Sequence, residues 1–248
     1  EVYIIIRPGM GITSHIISTF SRKPIFAYRA MVIATFSIGF IGFIVWGHHM
    51  FASGMSPLAG MVFSVLTLTV GVPSAIKVFN WLATLWGGQI RCTAAMMYAL
   101  GFVSFFVSGG VTGLLLAQPA IDVYFHDTYF VVAPFHMIMG LAAVFGMFAA
   151  LQFWFPRMFG RYMSEPLGKL HFWITIIGVY SIFIPMHFLG MAGAPRRYAQ
   201  FTEFTYLAKL QPLAIHITWA AFVTGAAQII LLFNIFWSMK FGKKAPVN

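Results

Sequence analysis

The chain has 248 residues, 60% of them hydrophobic and only 8% charged, and its 15 Lys and Arg outnumber its 5 Asp and Glu for a net charge of +10. Soluble domains carry about 25% charged residues, so the composition excludes a soluble globular protein and predicts an integral membrane one. The apolar segments are helix-length and uninterrupted, which excludes the alternating strands of an outer-membrane barrel; the positive residues sit in short loops rather than on a nucleic-acid-binding face, and the single Cys92 excludes an intrachain disulfide framework.

Seven apolar spans follow in order. The first is partial, from Glu1 to about Thr19, and the others run over roughly 30–46, 57–85, 94–117, 129–156, 170–192 and 212–238. The opening Glu1-Val2-Tyr3-Ile4-Ile5-Ile6 reads as the middle of a helix and shows no signal-peptide pattern, which predicts an incomplete chain. Loops are short and no repeat is visible, so residues 1–248 are expected to form a single transmembrane domain. Arg22, Lys23 and Arg29 follow the first span, Arg91 the third, Arg157, Arg161 and Lys169 the fifth, and Lys240, Lys243 and Lys244 the seventh. The alternate loops near 47–56 and 118–128 contain no Lys or Arg. The positive-inside rule then places the 21–29 loop and the C-terminus on the cytoplasmic side, or the matrix side in a mitochondrion. Arg196 and Arg197 break the rule on the outer side and call for a local anionic partner.

Polar residues inside the spans carry the chemistry. His48 and His49 end the second span. A lone interfacial histidine is ordinarily a capped helix end, but neutral imidazole is a common ligand of copper, iron or zinc, and an adjacent pair at a loosened helix end points to metal ligation. Lys77 stands mid-span, where a charge costs about 2.5–3.5 kcal/mol on insertion scales and by default marks a proton or ion path. It lies too deep to snorkel, and Ser74, three residues earlier, shares its helical face. Glu1 is either a buried carboxyl that loads and releases protons or a frayed end, and the chain alone does not choose. His15, His171, His187 and His216 are isolated and read as hydrogen-bonded or interfacial. The 122–136 stretch gathers Asp122, His126, Asp127 and His136 in otherwise apolar sequence. His136 stands ten residues beyond His126, about 15 Å along a helix and hence about halfway through a hydrocarbon layer.

Taken together, Glu1-Val2-Tyr3, Arg7-Pro8-Gly9-Met10-Gly11-Ile12-Thr13-Ser14-His15, Trp46-Gly47-His48-His49-Met50-Phe51, Val72-Pro73-Ser74-Ala75-Ile76-Lys77, His126-Asp127-Thr128-Tyr129-Phe130-Val131-Val132-Ala133 and Ala194-Pro195-Arg196-Arg197-Tyr198 resemble subunit I of haem–copper oxygen reductases. The likeness is to the proton-pumping type A branch in its cytochrome c oxidase form, and it covers the back half of a twelve-helix core, from mid-helix six onward. The resemblance implies an all-α membrane bundle, two haems of the a type, copper and magnesium. It implies His48 and His49 as two of three copper ligands, the third standing two residues before Glu1. Tyr3 corresponds to the tyrosine cross-linked to that third ligand. Glu1 would end one proton channel, and Ser74 and Lys77 would belong to another. His126 and Asp127 would take the magnesium site, and Asp122, Arg196 and Arg197 the haem propionates. His136 would be an axial ligand of the low-spin haem, with Phe135 linking the two haem positions.

The partners implied are the front half of subunit I, oxidase subunits II and III, and cytochrome c or a quinol as electron donor. The membrane would be a bacterial plasma membrane or a mitochondrial inner membrane. One position departs from the pattern. Where the family carries the proximal histidine of its high-spin haem, this chain has Pro134, which offers no imidazole and disrupts a helix interior at about 3 kcal/mol. A sequence-level error or mutation, a variant with another haem ligand, and a degenerate subunit that carries electrons without reducing oxygen all remain open. So do a quinol-oxidising relative, a non-redox proton transporter and a non-catalytic assembly subunit.

Overall fold

A computed structural model describes residues 2–246, so Glu1 and the proton-channel role expected of it lie outside the described residues. Ten α-helices form among them. These are α1 (Val2–Ser21), α2 (Tyr28–Ile44), α3 (Pro57–Thr69), α4 (Gly71–Leu85), α5 (Ala94–Leu116), α6 (Pro119–Phe125), α7 (Tyr129–Phe135), α8 (Ala143–Phe159), α9 (Glu165–Met191) and α10 (Gln211–Phe241). Six helical spans are long and apolar enough to cross a membrane. α1 is diluted by Arg7, Ser14 and His15 but packs against α5 and α8, and so completes the expected seven.

Hydroxyl side chains inside these helices mostly bond back to the carbonyl one turn earlier, the arrangement open to them where water is absent. Ser14 donates to Met10 O (2.7 Å), Thr35 to Met31 O (2.8 Å), Thr67 to Phe63 O (2.6 Å) and Ser74 to Val70 O (2.8 Å). Proline sets the two interruptions. The span expected over 57–85 breaks at Val70, just before Gly71 and Pro73, because a proline ring displaces the carbonyl four residues earlier. The span expected over 129–156 holds Pro134 and continues as a π-helical stretch, His136–Ala142, before α8 resumes. A wide turn of this kind absorbs the register lost at the proline.

α5 runs through the centre, packed on α1, α7, the π-helical stretch and α8. Its small residues set the distances: a Cβ on Gly101 would meet the Phe145 ring, and one on Gly109 would meet the Pro134 carbonyl at 2.9 Å and Met137 Cβ at 3.1 Å. Trp81, Tyr98, Phe102, Phe105 and Phe145 fill the core, with Phe105 and Phe145 edge to face at 4.8 Å. Half of the Tyr129–Phe159 span is buried, against 17% for Pro57–Leu85 and for the span containing α10, so the interrupted helix is central and those two are peripheral. Phe36, Phe40 and Phe43 line one exposed face of α2.

Hydrogen bonds tie the loops together at both ends of the bundle. At one end Gln89 N donates to Ser21 O, Arg91 N to Phe20 O and Tyr162 N to Lys243 O. At the other, Tyr129 N donates to Ala194 O and Arg196 N to Asp127 O. α7 meets α9 most closely at Gly190, where an added Cβ would run into the backbone of Phe130. Replacing Gly190 with Ala should therefore destabilise the protein by about 1–3 kcal/mol. A lowered midpoint in thermal unfolding of the purified protein checks it.

Candidate functional site

α2 ends by tightening into a 3-10 turn, Val45–Met50, that carries both histidines of the pair. The helix end tightens rather than loosens, yet the two imidazoles converge. His48 Nε2 and His49 Nε2 are 3.1 Å apart, with ring centroids at 4.3 Å. Thr67 on α3 fixes the tautomer of the first ring. Its hydroxyl donates to Phe63 O, so its oxygen accepts from His48 Nδ1–H at 3.0 Å. Neutral His48 therefore presents a bare Nε2 toward His49. Gly47 lets α3 come this close, because a Cβ there would press on the Phe63 ring at 2.5 Å. Two imidazole nitrogens each about 2.0–2.1 Å from a shared ion lie about 2.8–3.4 Å apart for ligand angles between square and tetrahedral. The observed spacing falls in that range. Among the described residues no group of three or more His, Cys, Asp or Glu that could hold a metal ion assembles.

α6 and the turn after it stand beside the pair. Asp122 is buried, 3.4 Å from His126 Nδ1. Burial pushes its carboxyl above the usual range, while His126 and then His49 pull it down, which places His49 within electrostatic reach of Asp122. Asp127 adopts a left-handed backbone (φ 55°) and pairs with the Arg196 guanidinium. Of the basic pair expected on the outer side, Arg196 thus finds an anionic partner within the chain. Its Nε is buried without a hydrogen-bond partner, and Arg197 (φ 65°) is exposed.

His136 sits where the π-helical stretch begins. Its Nδ1–H donates to Val132 O at 2.9 Å, so Nε2 keeps its lone pair for a ligand. The Phe183 ring stacks on it at 5.5 Å and Phe135 lies at 4.3 Å. Pro134 is buried and offers no donor atom for an iron. His187, read as a bland histidine from sequence, has the same ligand-ready form: Nδ1–H donates to Phe183 O at 2.7 Å, and Nε2 is buried with no hydrogen-bond partner.

Lys77 on α4 is 2% exposed, and its amine donates to Thr35 Oγ1 on α2 at 2.8 Å and lies 5.3 Å over the Trp81 ring. It lines a cavity of about 340 Å³ together with Arg7, Ser14, His15, Tyr28 and Thr35. Ser74 shares the helical face, but its hydroxyl is spent on Val70 O, and Thr35 is the partner in contact. Sequence reasoning could not find Thr35, which lies 42 residues away. The Tyr3 ring packs over Gly42 of α2, where a Cβ would collide with it, about 9 Å along the helix from His48.

A family model described as "Cytochrome C and Quinol oxidase polypeptide I" matches residues 1–223. The chain belongs to this family. It is 47% identical over 249 aligned residues to the alternative cytochrome c oxidase subunit 1 of Bradyrhizobium diazoefficiens, covering 100% of this chain and 42% of that protein. It is 44% identical over 252 residues to cytochrome c oxidase subunit 1 of Cereibacter sphaeroides, covering 100% of this chain and 43% of that one. With the Bacillus subtilis subunit 1 it shares 46% over 240 residues, 96% of this chain and 38% of the other. The chain thus spans about two fifths of the length of these relatives, as expected for a back-half match to subunit I. A heme–copper terminal oxidase dimer solved by cryo-EM has the same fold, with a TM-score of 0.77 at 18% identity, covering 90% of this chain and 44% of that one.

If Thr67 orients the pair, Thr67→Val should weaken metal retention by about 10–100-fold, the usual cost of losing such a supporting bond. Metal content after dialysis against a graded chelator measures it; unchanged retention would show that the ring needs no such support.

Proposed function

We propose that this chain forms part of subunit I of a membrane haem–copper oxidase that reduces dioxygen to water with proton uptake through Lys77. The observation that carries the reading is the convergence of the His48 and His49 Nε2 atoms, 3.1 Å apart, with one ring fixed by Thr67. His48 and His49 would hold copper and His136 the iron of the low-spin haem. When bound, the two groups would supply the one-electron steps that dioxygen reduction needs.

The protein's own residues do the rest. Thr67 orients a ligand, Asp122 offers the pair a nearby carboxyl, and Phe135 and Phe183 pack against the His136 ring. Lys77 holds a proton at Nζ against Thr35, in a cavity lined with hydroxyls that exchanges protons more readily than hydrocarbon. Tyr3 would stand at the oxygen end of that path and Glu1 on a second one. Magnesium at His126 and Asp127 rests on the resemblance alone, since Asp122 engages the first and Arg196 the second. The a type of the haems rests on it too. Arg196 and Arg197 would meet haem propionates, through the Arg196 Nε that has no partner here.

Residues 1–248 would act as one membrane domain beside the front half of subunit I and subunits II and III, with cytochrome c or a quinol as donor. The basic loops would face the cytoplasm or matrix, in a bacterial plasma membrane or a mitochondrial inner membrane.

Pro134 favours a second reading. It does not fit the proximal position of a high-spin haem, so this chain would carry electrons through the His136 site without reducing oxygen. Dithionite-reduced spectra of the purified complex with and without carbon monoxide separate the two. A shift matching one haem in two supports dioxygen reduction with another proximal ligand. Low-spin bands without a shift support the electron carrier, and no haem at all contradicts both. On the first reading, Lys77→Met should slow reduction of the oxygen site by tenfold or more, since Lys77 is the one buried cation in that cavity's wall that can give up its proton. Unchanged stopped-flow kinetics would remove it from the path.

A further inference from the structure

The family model stops at residue 223, and beyond it the end of α10 and residues 242–246 lie at the basic end of the bundle. The segment after α10 turns back across the α8–α9 connection. Tyr162 N donates to Lys243 O (2.8 Å), Ala245 N to Gly160 O (2.8 Å) and Arg161 Nη1 to Gly242 O (2.7 Å). Arg161 and Lys244 form an isolated antiparallel bridge. Residues directly opposite in such a bridge project to one face, and like charges so placed repel.

Among the described residues no acidic side chain pairs with these cations. Arg157, Lys240, Lys243 and Lys244 are exposed around the bridge. Glu165, the nearest acidic residue along the chain, accepts from Ala94 N at 2.8 Å at the start of α5. The ion pairs among the described residues, Asp122 with His126 and Asp127 with Arg196, are both at the opposite end. Beside the cations lies an exposed apolar collar of Met158 and Phe159 on α8 and Trp237 and Phe241 on α10, with Lys240 Nζ 5.3 Å over the Phe241 ring. Cations above an aromatic collar at a helix end match a phosphate with hydrocarbon attached, rather than a phosphate alone.

We propose that the Arg161–Lys244 bridge and the flanking Arg157, Lys240 and Lys243 form a binding site for an anionic phospholipid, its phosphate on the cations and its acyl chains on the Trp237–Phe241 collar. The bound lipid would hold the segment after α10 against the α8–α9 connection.

The test is a lipid titration of the full purified complex, read by native mass spectrometry and thermal unfolding. Phosphatidylglycerol should be retained and should raise the unfolding midpoint where phosphatidylcholine does not. Replacing both lysines, Lys243→Gln with Lys244→Gln, should weaken phosphatidylglycerol binding roughly 25-fold, about fivefold for each cation near a charged surface. Lys240→Gln alone should give about a fivefold loss, while Lys209→Gln at the opposite end should leave binding unchanged. Soluble glycerol phosphate should not displace the lipid. Equal retention of the neutral lipid, unweakened binding in both lysine variants, or displacement by glycerol phosphate would each overturn the proposal.

Discussion

A polar atom in a hydrocarbon layer has no water to bond, and leaving one unsatisfied costs several kcal/mol. That constraint organises this chain. Ser14, Thr35, Thr67 and Ser74 each return a hydroxyl hydrogen to the carbonyl of the preceding turn, and two of those oxygens are then free to accept from a functional group. Thr35 takes a hydrogen from Lys77 and Thr67 takes one from His48. The same backbone economy that keeps α2 and α3 helical in lipid thus orients the proposed proton carrier and the proposed metal ligand. His136 uses the rule directly, spending Nδ1–H on Val132 O so that Nε2 keeps its lone pair.

The interrupted helix shows how far a local defect can be tolerated. Pro134 removes a backbone hydrogen from a span that is half buried, and the chain answers with the wide turns of His136–Ala142 and with Gly109 on the facing helix. A π-helical stretch redirects the side chains that follow it. His136 opens that stretch, two residues after the proline.

Much of the fold was legible because apolar length is a strong signal: the spans over 94–117 and 170–192 correspond to α5 and α9 to within a few residues, allowing for the earlier start of α9 at Glu165. The break at Val70 was written in Gly71 and Pro73 but hidden by continuous hydrophobicity across it. At the site, residue types were readable and pairings were not. His48 and His49 announced themselves as neighbours, whereas the Lys77–Thr35 and Arg196–Asp127 contacts join residues 42 and 69 positions apart. Ser74 illustrates the difference: its spacing put it on the right face, and its hydroxyl was already committed to the backbone. His187 carried no sequence signal at all, since an isolated histidine in an apolar span reads the same whether or not its Nε2 is satisfied.

On the proposed function, one tight turn would present two imidazole nitrogens to a single copper ion. X-ray absorption at the copper edge of the purified complex tests it most directly. The account predicts a first shell of imidazole nitrogens at about 2.0 Å, reduced in number or lost when His48 is replaced by Ala. A complex without copper, or a copper shell that the His48 replacement leaves unchanged, would contradict it.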